Sequence, residues 1–147
     1  MKTGLHGWCG QILKVNLSNG RTSTMDTMPY ADRFLGGRGI ATRIYWEEVL
    51  PGTGAFDPEN LLIFMTGPLV ATGTQGAARC MVIGKSPMLM PEGFCYGNIG
   101  SFFGPYLKLA GYDGLIIHGR SSRPVYLLIH GRNVRIQDAS SVWGGGV

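Results

Sequence analysis

Glycine, by its placement, most constrains what this chain can become. Twenty-four of its 147 residues are glycine, more than twice the usual share of about 7%. They are not spread as in a flexible linker. They gather in short groups where strand-like or helix-like runs end: Gly36-Gly37-Arg38-Gly39, Thr66-Gly67-Pro68, Gly73-Thr74-Gln75-Gly76 and Gly97-Asn98-Ile99-Gly100. Glycine admits positive φ and lets another group come close to the backbone. Two architectures satisfy that pattern. One is a β-rich domain with many tight turns. The other is a surface where bare peptide N–H and C=O groups meet a large flat or anionic ligand.

The length suits one domain spanning residues 1–147. At 44% hydrophobic residues the chain can bury a core without disulfide staples. Its formal charge of +4 comes from dispersed Lys and Arg rather than a basic block, which argues against nucleic-acid binding and leaves room for a small anionic ligand. Cys9, Cys80 and Cys95 show no Cys-x-x-Cys spacing, so neither a disulfide framework nor a self-contained zinc or iron–sulfur site is expected. His6, His118 and His130 form no ligand pair, and the last two read as turn-edge residues. Met1 to Gly7 lacks an apolar leader core, and no apolar run approaches the ~20 residues of a membrane span. A soluble, cytoplasmic protein with no membrane partner is the expectation.

The alternation over Gln11–Leu17, the Ser18-Asn19-Gly20 turn and Arg21–Met25 predict a β-hairpin. A helix beginning within Asp26–Pro29 and running through Leu35 is expected, interrupted by Gly36–Gly39 and resumed from Ile40 to Leu50, where Pro51-Gly52 stops it. Leu61–Met65 and Ala78–Ile83 read as strands, and Met88–Tyr96 as loop. Gly100–Gly111 reads as a short helix with Pro105 in its first turn and Gly111 at its end. Gly114–His118, Pro124–His130 and Val134–Gln137 are three further strands, the last two a hairpin. Trp143-Gly144-Gly145-Gly146-Val147 reads as a frayed tail or the start of a connection. Strands outnumber helices without regular β-α-β alternation, which gives an α+β fold of two mainly antiparallel β-sheets with short helices.

Gly37-Arg38-Gly39-Ile40-Ala41-Thr42 half-matches a dinucleotide fingerprint but lacks the third glycine and a preceding strand. It remains open as a backbone anion cradle, or as a plain helix corner. Arg79 stands beside the apolar strand Cys80–Ile83, where a guanidinium clamps a phosphate, stacks on a planar ring, or simply meets solvent. Asn98 falls between Gly97 and the Gly100-Ser101 helix start, either as a turn residue or beside free peptide groups that hold a ligand or a metal-bridged phosphate. No nucleophile–base pair, paired carboxylates or metal-ligand cluster is visible, so a complete active site is not expected in this chain.

An ordered set of segments carries a resemblance. It comprises Gly7-Trp8-x-Gly10 before Ile12-Leu13-x-Val15-Asn16-Leu17-Ser18-x-Gly20; Phe34-Leu35-Gly36-Gly37-Arg38-Gly39; Pro58-Glu59-Asn60-x-Leu62-Ile63 before Gly67-Pro68-Leu69; Lys85-Ser86-Pro87; Phe102-Phe103-Gly104-Pro105-x-Leu107-Lys108-x-Ala110-Gly111-Tyr112-Asp113; Pro124-Val125-Tyr126-Leu127; and Asp138-Ala139 with Trp143-Gly144. In that order they resemble the N-terminal domain of the tungsten-containing aldehyde:ferredoxin oxidoreductases.

The resemblance implies a base under a tungsten (or molybdenum) bis-pyranopterin, the molybdopterin-type cofactor. Arg79 matches the family arginine between a pterin and the iron–sulfur cluster. Asn98 matches the asparagine whose backbone carbonyl binds the Mg bridging the pterin phosphates. Gly100 and Ser101 fall in the pterin-contacting turn. Family members are several times longer, and their later domains supply the [4Fe-4S] cysteines and the acid–base residues. The chain is therefore expected to be a split subunit or fragment of an oxidoreductase that converts aldehyde and water to carboxylate and passes electrons to ferredoxin. Alone it is expected to be inactive and prone to oligomerise or to travel with a larger subunit. The alternatives are a non-catalytic scaffold of the same fold without cofactor, and a phosphate-ligand module binding nucleotides through Gly36–Gly39, in which Arg38→Ala would weaken binding.

Overall fold

A computed structural model describes residues 6–145; Met1–Leu5, where the leader was sought, and Gly146–Val147 of the tail lie outside the described residues. The elements, in order, are β1 (Gln11–Asn16), β2 (Arg21–Asp26), α1 (Met28–Ala31), α2 (Gly37–Glu48), β3 (Leu62–Met65), β4 (Cys80–Ser86), β5 (Gly93–Ile99), α3 (Phe103–Leu109), β6 (Gly114–His118), β7 (Val125–His130) and β8 (Asn133–Asp138). Six strands form one sheet in the order β2-β1-β6-β3-β4-β5, and β7-β8 form a second. β1 and β6 run parallel, and every other pairing is antiparallel. The fold is α+β with two mainly antiparallel sheets.

Period-two alternation explains the layering, because successive side chains of a strand point to opposite faces. Ile12, Ile63, Met65, Ile83 and Ile116 meet Ile40, Ala41 and Ile44 of α2 on one face of the large sheet. Leu13, Val15 and Leu115 meet Leu107 and Tyr112 on the other, with Leu127, Ile129, Val134 and Ile136 of the small sheet packed against them. Each fully buried aliphatic side chain contributes about 1.5–3 kcal/mol, so the two cores together hold the three layers in register.

Three local expectations are corrected. The helix expected through Leu35 shrinks to α1, one turn with Pro29 near its start. Gly36–Gly39 does not interrupt a helix. Instead α2 begins at Gly37, because Gly36, at φ +109°, packs where a Cβ would lie 2.7 Å from the Trp8 ring and 3.0 Å from Gly67 Cα. Tertiary packing overrides glycine's low helix propensity there. The second part of the expected loop from Met88 to Tyr96, Gly93–Tyr96, joins β5, and with it Asn98 leaves its expected turn for the strand, opposite Met81. The antiparallel ladder to β4 supplies the hydrogen-bond partners that glycine-rich β5 could not secure from propensity.

Candidate functional site

The β4–β5 ladder runs from Ser86 opposite Gly93 to Cys80 opposite Ile99. One step beyond its last pair stand Arg79 on one strand and Gly100 on the other. Asn98 is one pair inside, and Ser101 follows at φ +61°. The four expected site residues therefore converge on one end of one ladder, and all four are exposed.

The neighbouring backbone explains why this end is firm. The first turn of α3 packs on the approach to β4: a Cβ at Gly104 would lie 3.0 Å from Ala78 O, 3.4 Å from Cys80 Cβ and 3.5 Å from Val70 Cγ1. Absence of that Cβ lets the helix clamp the segment from which Arg79 projects. By contrast, a Cβ at Gly97 or Gly100 would meet nothing within 4 Å, and the same holds at Gly73 and Gly76 in the preceding loop. That loop holds Ala71 at φ +64°, and the Thr72 hydroxyl donates to Leu69 O at 2.7 Å. Two non-glycine residues in left-handed conformation, Ala71 and Ser101, thus lie on either side of Arg79 in the chain. Such strain persists where surrounding structure imposes it, often beside ligands.

Among the described residues Arg79 enters no ion pair; the four pairs present are Lys14–Glu48, Arg43–Glu47, Lys108–Asp113 and Arg123–Asp138. An exposed guanidinium without a carboxylate, a hydroxyl and open peptide groups suit a phosphate-bearing planar molecule. None of Arg79, Asn98, Gly100 and Ser101 supplies a general base, and the Ser101 hydroxyl has no base among them to activate it. Cys80 lies beside them but its thiol is buried, and burial pushes it up to about 12 against a weaker opposing backbone hydrogen bond at Met65. Burial thus favours the neutral thiol at physiological pH. Among the described residues no three His, Cys, Asp or Glu side chains cluster so as to hold a metal ion.

The second candidate, Gly36–Gly39, resolves into a helix corner. Gly37 N–H donates to Thr66 O at 2.8 Å and Gly39 N–H to Gly36 O at 3.1 Å, so two of the amides a cradle needs are already engaged. The Arg38 guanidinium lies over the Tyr96 ring, 4.9 Å from its centroid.

Sequence reasoning missed Asp113 as a structural hub. Its carboxylate accepts from Cys9 N–H and Gly10 N–H at 2.8 Å each, from the Thr27 hydroxyl at 2.8 Å and from Lys108 Nζ at 2.6 Å. Its partners lie up to 104 positions away in the chain. The available signal was an acidic residue lodged between Tyr112 and an apolar strand.

Comparison with known proteins identifies the family to which the fold belongs. The family described as "Aldehyde ferredoxin oxidoreductase, N-terminal domain" matches residues 12–147. A tungsten-containing aldehyde ferredoxin oxidoreductase of Pyrococcus abyssi is 45% identical over 143 residues, covering 95% of this chain and 23% of the relative. The enzyme of the same description from Pyrococcus horikoshii is 43% identical over 143 residues, with the same coverage. Among solved structures, the active-site complex BamBC of benzoyl coenzyme A reductase, bound to 1,5-dienoyl-CoA, superposes with a TM-score of 0.89 at 37% identity, over 95% of this chain and 21% of that one. The chain thus spans about a quarter of the length of the curated relatives it matches. The family match over all but the first eleven residues, together with the shared fold, establishes that this chain belongs to the aldehyde ferredoxin oxidoreductase family and forms its N-terminal domain.

Proposed function

We propose that this chain is the base on which a tungsten or molybdenum bis-pyranopterin sits in an aldehyde:ferredoxin oxidoreductase-like cytoplasmic enzyme, inactive without the remaining polypeptide. The observation that carries the reading is the convergence of Arg79, Asn98, Gly100 and Ser101 on one open, glycine-lined ladder end. The Pyrococcus relatives are described as tungsten-containing enzymes, which supports the same cofactor class.

When bound, the group would supply oxygen-transfer redox chemistry, aldehyde and water going to carboxylate and two electrons leaving through a [4Fe-4S] cluster held by other domains to ferredoxin. This chain's own work is binding and orientation. Arg79 offers a planar, permanently charged fork that pairs with phosphate and stacks on a ring. The backbone carbonyl of Asn98 offers a hard oxygen to a phosphate-bridging Mg. Gly97 and Gly100 keep side chains out of the ligand's path, and Ser101 adds a hydroxyl donor. The domain does not by itself select the substrate, since benzoyl coenzyme A reductase shares its fold.

The test is metal and pterin analysis of the chain recovered from its native host with whatever polypeptide it assembles with. Tungsten or molybdenum with about two pterins per metal is the expected result. A folded assembly devoid of both would overturn this reading in favour of the non-catalytic scaffold.

A further inference from the structure

The two edges of the six-stranded sheet differ in chemistry. β2 at one edge reads Arg21-Thr22-Ser23-Thr24-Met25-Asp26, polar but for Met25 and charged at both ends. Charges on an edge discourage another strand from pairing with it. β5 at the opposite edge reads Gly93-Phe94-Cys95-Tyr96-Gly97-Asn98-Ile99, with no charge and no proline. Phe94 and Tyr96 are 43% and 54% exposed. The row of peptide groups on its outer side has no strand partner among the described residues.

Beside that edge runs a groove of about 650 Å³ between β5 and α2, lined by Phe34, Thr42, Trp46, Phe94 and Tyr96, with Arg38 over the Tyr96 ring. Trp46 is 80% exposed. Phe94 stands edge-on to Tyr45 at 5.4 Å, which backs this side of the groove. An unpaired backbone row next to an aromatic groove is the arrangement used for strand addition: main-chain hydrogen bonds provide affinity, and the groove takes alternate side chains.

Resting on the proposed cofactor reading, we infer that β5 receives an extended, alternately apolar segment from the part of the enzyme outside this chain. That occupant is favoured on two grounds. The chain spans 23% of its relatives' length, so most of the polypeptide available to cover it lies elsewhere. The edge is also continuous with the proposed site, because β5 ends at Asn98-Ile99 and leads directly into Gly100 and Ser101. A segment paired along β5 is delivered to the place where the cofactor needs a further wall. A second copy fits less well: antiparallel β5–β5 pairing centred on Tyr96 would bring two Arg38 guanidinia to one seam, in a chain already carrying +4.

The experiment co-expresses the 147-residue chain with the remaining polypeptide of the Pyrococcus abyssi relative and follows amide hydrogen exchange. In the complex, exchange across Gly93–Ile99 should slow at least ~10-fold relative to the free chain, as a hydrogen-bonded edge requires. Tyr96→Lys, an exposed substitution whose fold is checked by circular dichroism, should cut recovery of the complex several-fold. Three outcomes overturn the inference: fast β5 exchange in a complex that nevertheless shields Trp46, unchanged recovery with Tyr96→Lys, or β5 protection already present in a dimer of the free chain. A complex with protected β5 but no metal or pterin would sink the cofactor reading and leave strand addition standing.

Discussion

Lys108 Nζ and Asp113 Oδ1 stand 2.6 Å apart, with side chains 4% and 0% exposed. Burying such a pair is costly unless every remaining lone pair and proton is satisfied. Here they are met. Lys108 also donates to Gly7 O at 2.6 Å and lies 4.8 Å from the centroid of the Trp8 ring. Asp113 takes two backbone amides and the Thr27 hydroxyl, while its own carbonyl accepts from both Thr66 N–H and the Thr66 hydroxyl. The Asp113 carboxylate thereby ties the lead-in to β1, the start of α1 and the end of α3, and its backbone carbonyl adds the end of β3. Among the braced elements is α3, whose first turn packs on the segment carrying Arg79.

Asp113→Ala should therefore cost about 3–5 kcal/mol, since it strands a buried ammonium and three further donors. Asp113→Asn paired with Lys108→Met removes the orphan charge and keeps one acceptor oxygen, enough for one of the two amides, so it should recover part of that loss, about 1–2 kcal/mol. Urea denaturation of the single and double variants checks both numbers. Equal losses in the two would mean that charge pairing is immaterial here.

Cys80 makes stability fall in alkali. Its thiol is raised from an ordinary value of 9.0 to about 12 by burial. A group whose pKa is raised in the folded state stabilises fully below its unfolded pKa and loses that contribution as pH climbs through the folded one. Between pH 9 and 12 this thiol should remove about 1.4 kcal/mol per pH unit. Cys80→Ala should be flatter than the parent over that window while paralleling it between pH 6 and 8. Parallel curves up to pH 11 would count against a buried neutral thiol.

Legibility followed the range of the interactions. The β1–β2 and β7–β8 hairpins were readable because alternation and Asn/Gly turn chemistry are local. β5 was hidden because Gly93, Gly97 and Asn98 have poor strand propensity and acquire strand geometry from β4. The start of α2 was hidden because Trp8 and Gly67, distant in sequence, decide the fate of Gly36. Arg79, Asn98, Gly100 and Ser101 could be named from resemblance, but their meeting depends on a register that no local pattern encodes. The Asp113 hub was invisible for the same reason.

Arg79→Ala and Arg79→Lys should both fold as the parent does, within about 0.5 kcal/mol, because the side chain is exposed and unpaired among the described residues. In the assembled enzyme both should lower pterin content, alanine more than lysine, since a lysine keeps the charge but not the planar fork. Pterin quantified by fluorescence after oxidation gives the readout. Full occupancy in Arg79→Ala would remove this arginine from the site.

The glycines divide into two kinds, and the division separates architecture from ligand binding. Gly36 sits at φ +109° against Trp8 and Gly67, and a Cβ on Gly114 would lie 2.6 Å from Met65 Cε and 2.8 Å from Phe64 O. Gly36→Ala combines backbone strain with a clash and should cost about 2–5 kcal/mol; Gly114→Ala, a clash alone, should cost about 1–3 kcal/mol. Gly97 and Gly100 have open space where a Cβ would go and no positive φ. Alanine there should leave stability unchanged or raise it by about 0.4–1 kcal/mol, because the unfolded chain loses freedom. If these two are bare because a ligand lies on them, the same alanines should depress metal and pterin content in the assembled enzyme even as the melting temperature holds or climbs. A turn-forming glycine with no ligand above it would give the opposite signature, with occupancy untouched, so thermal melts and metal analysis on Gly97→Ala and Gly100→Ala together decide what the open end of the ladder is for.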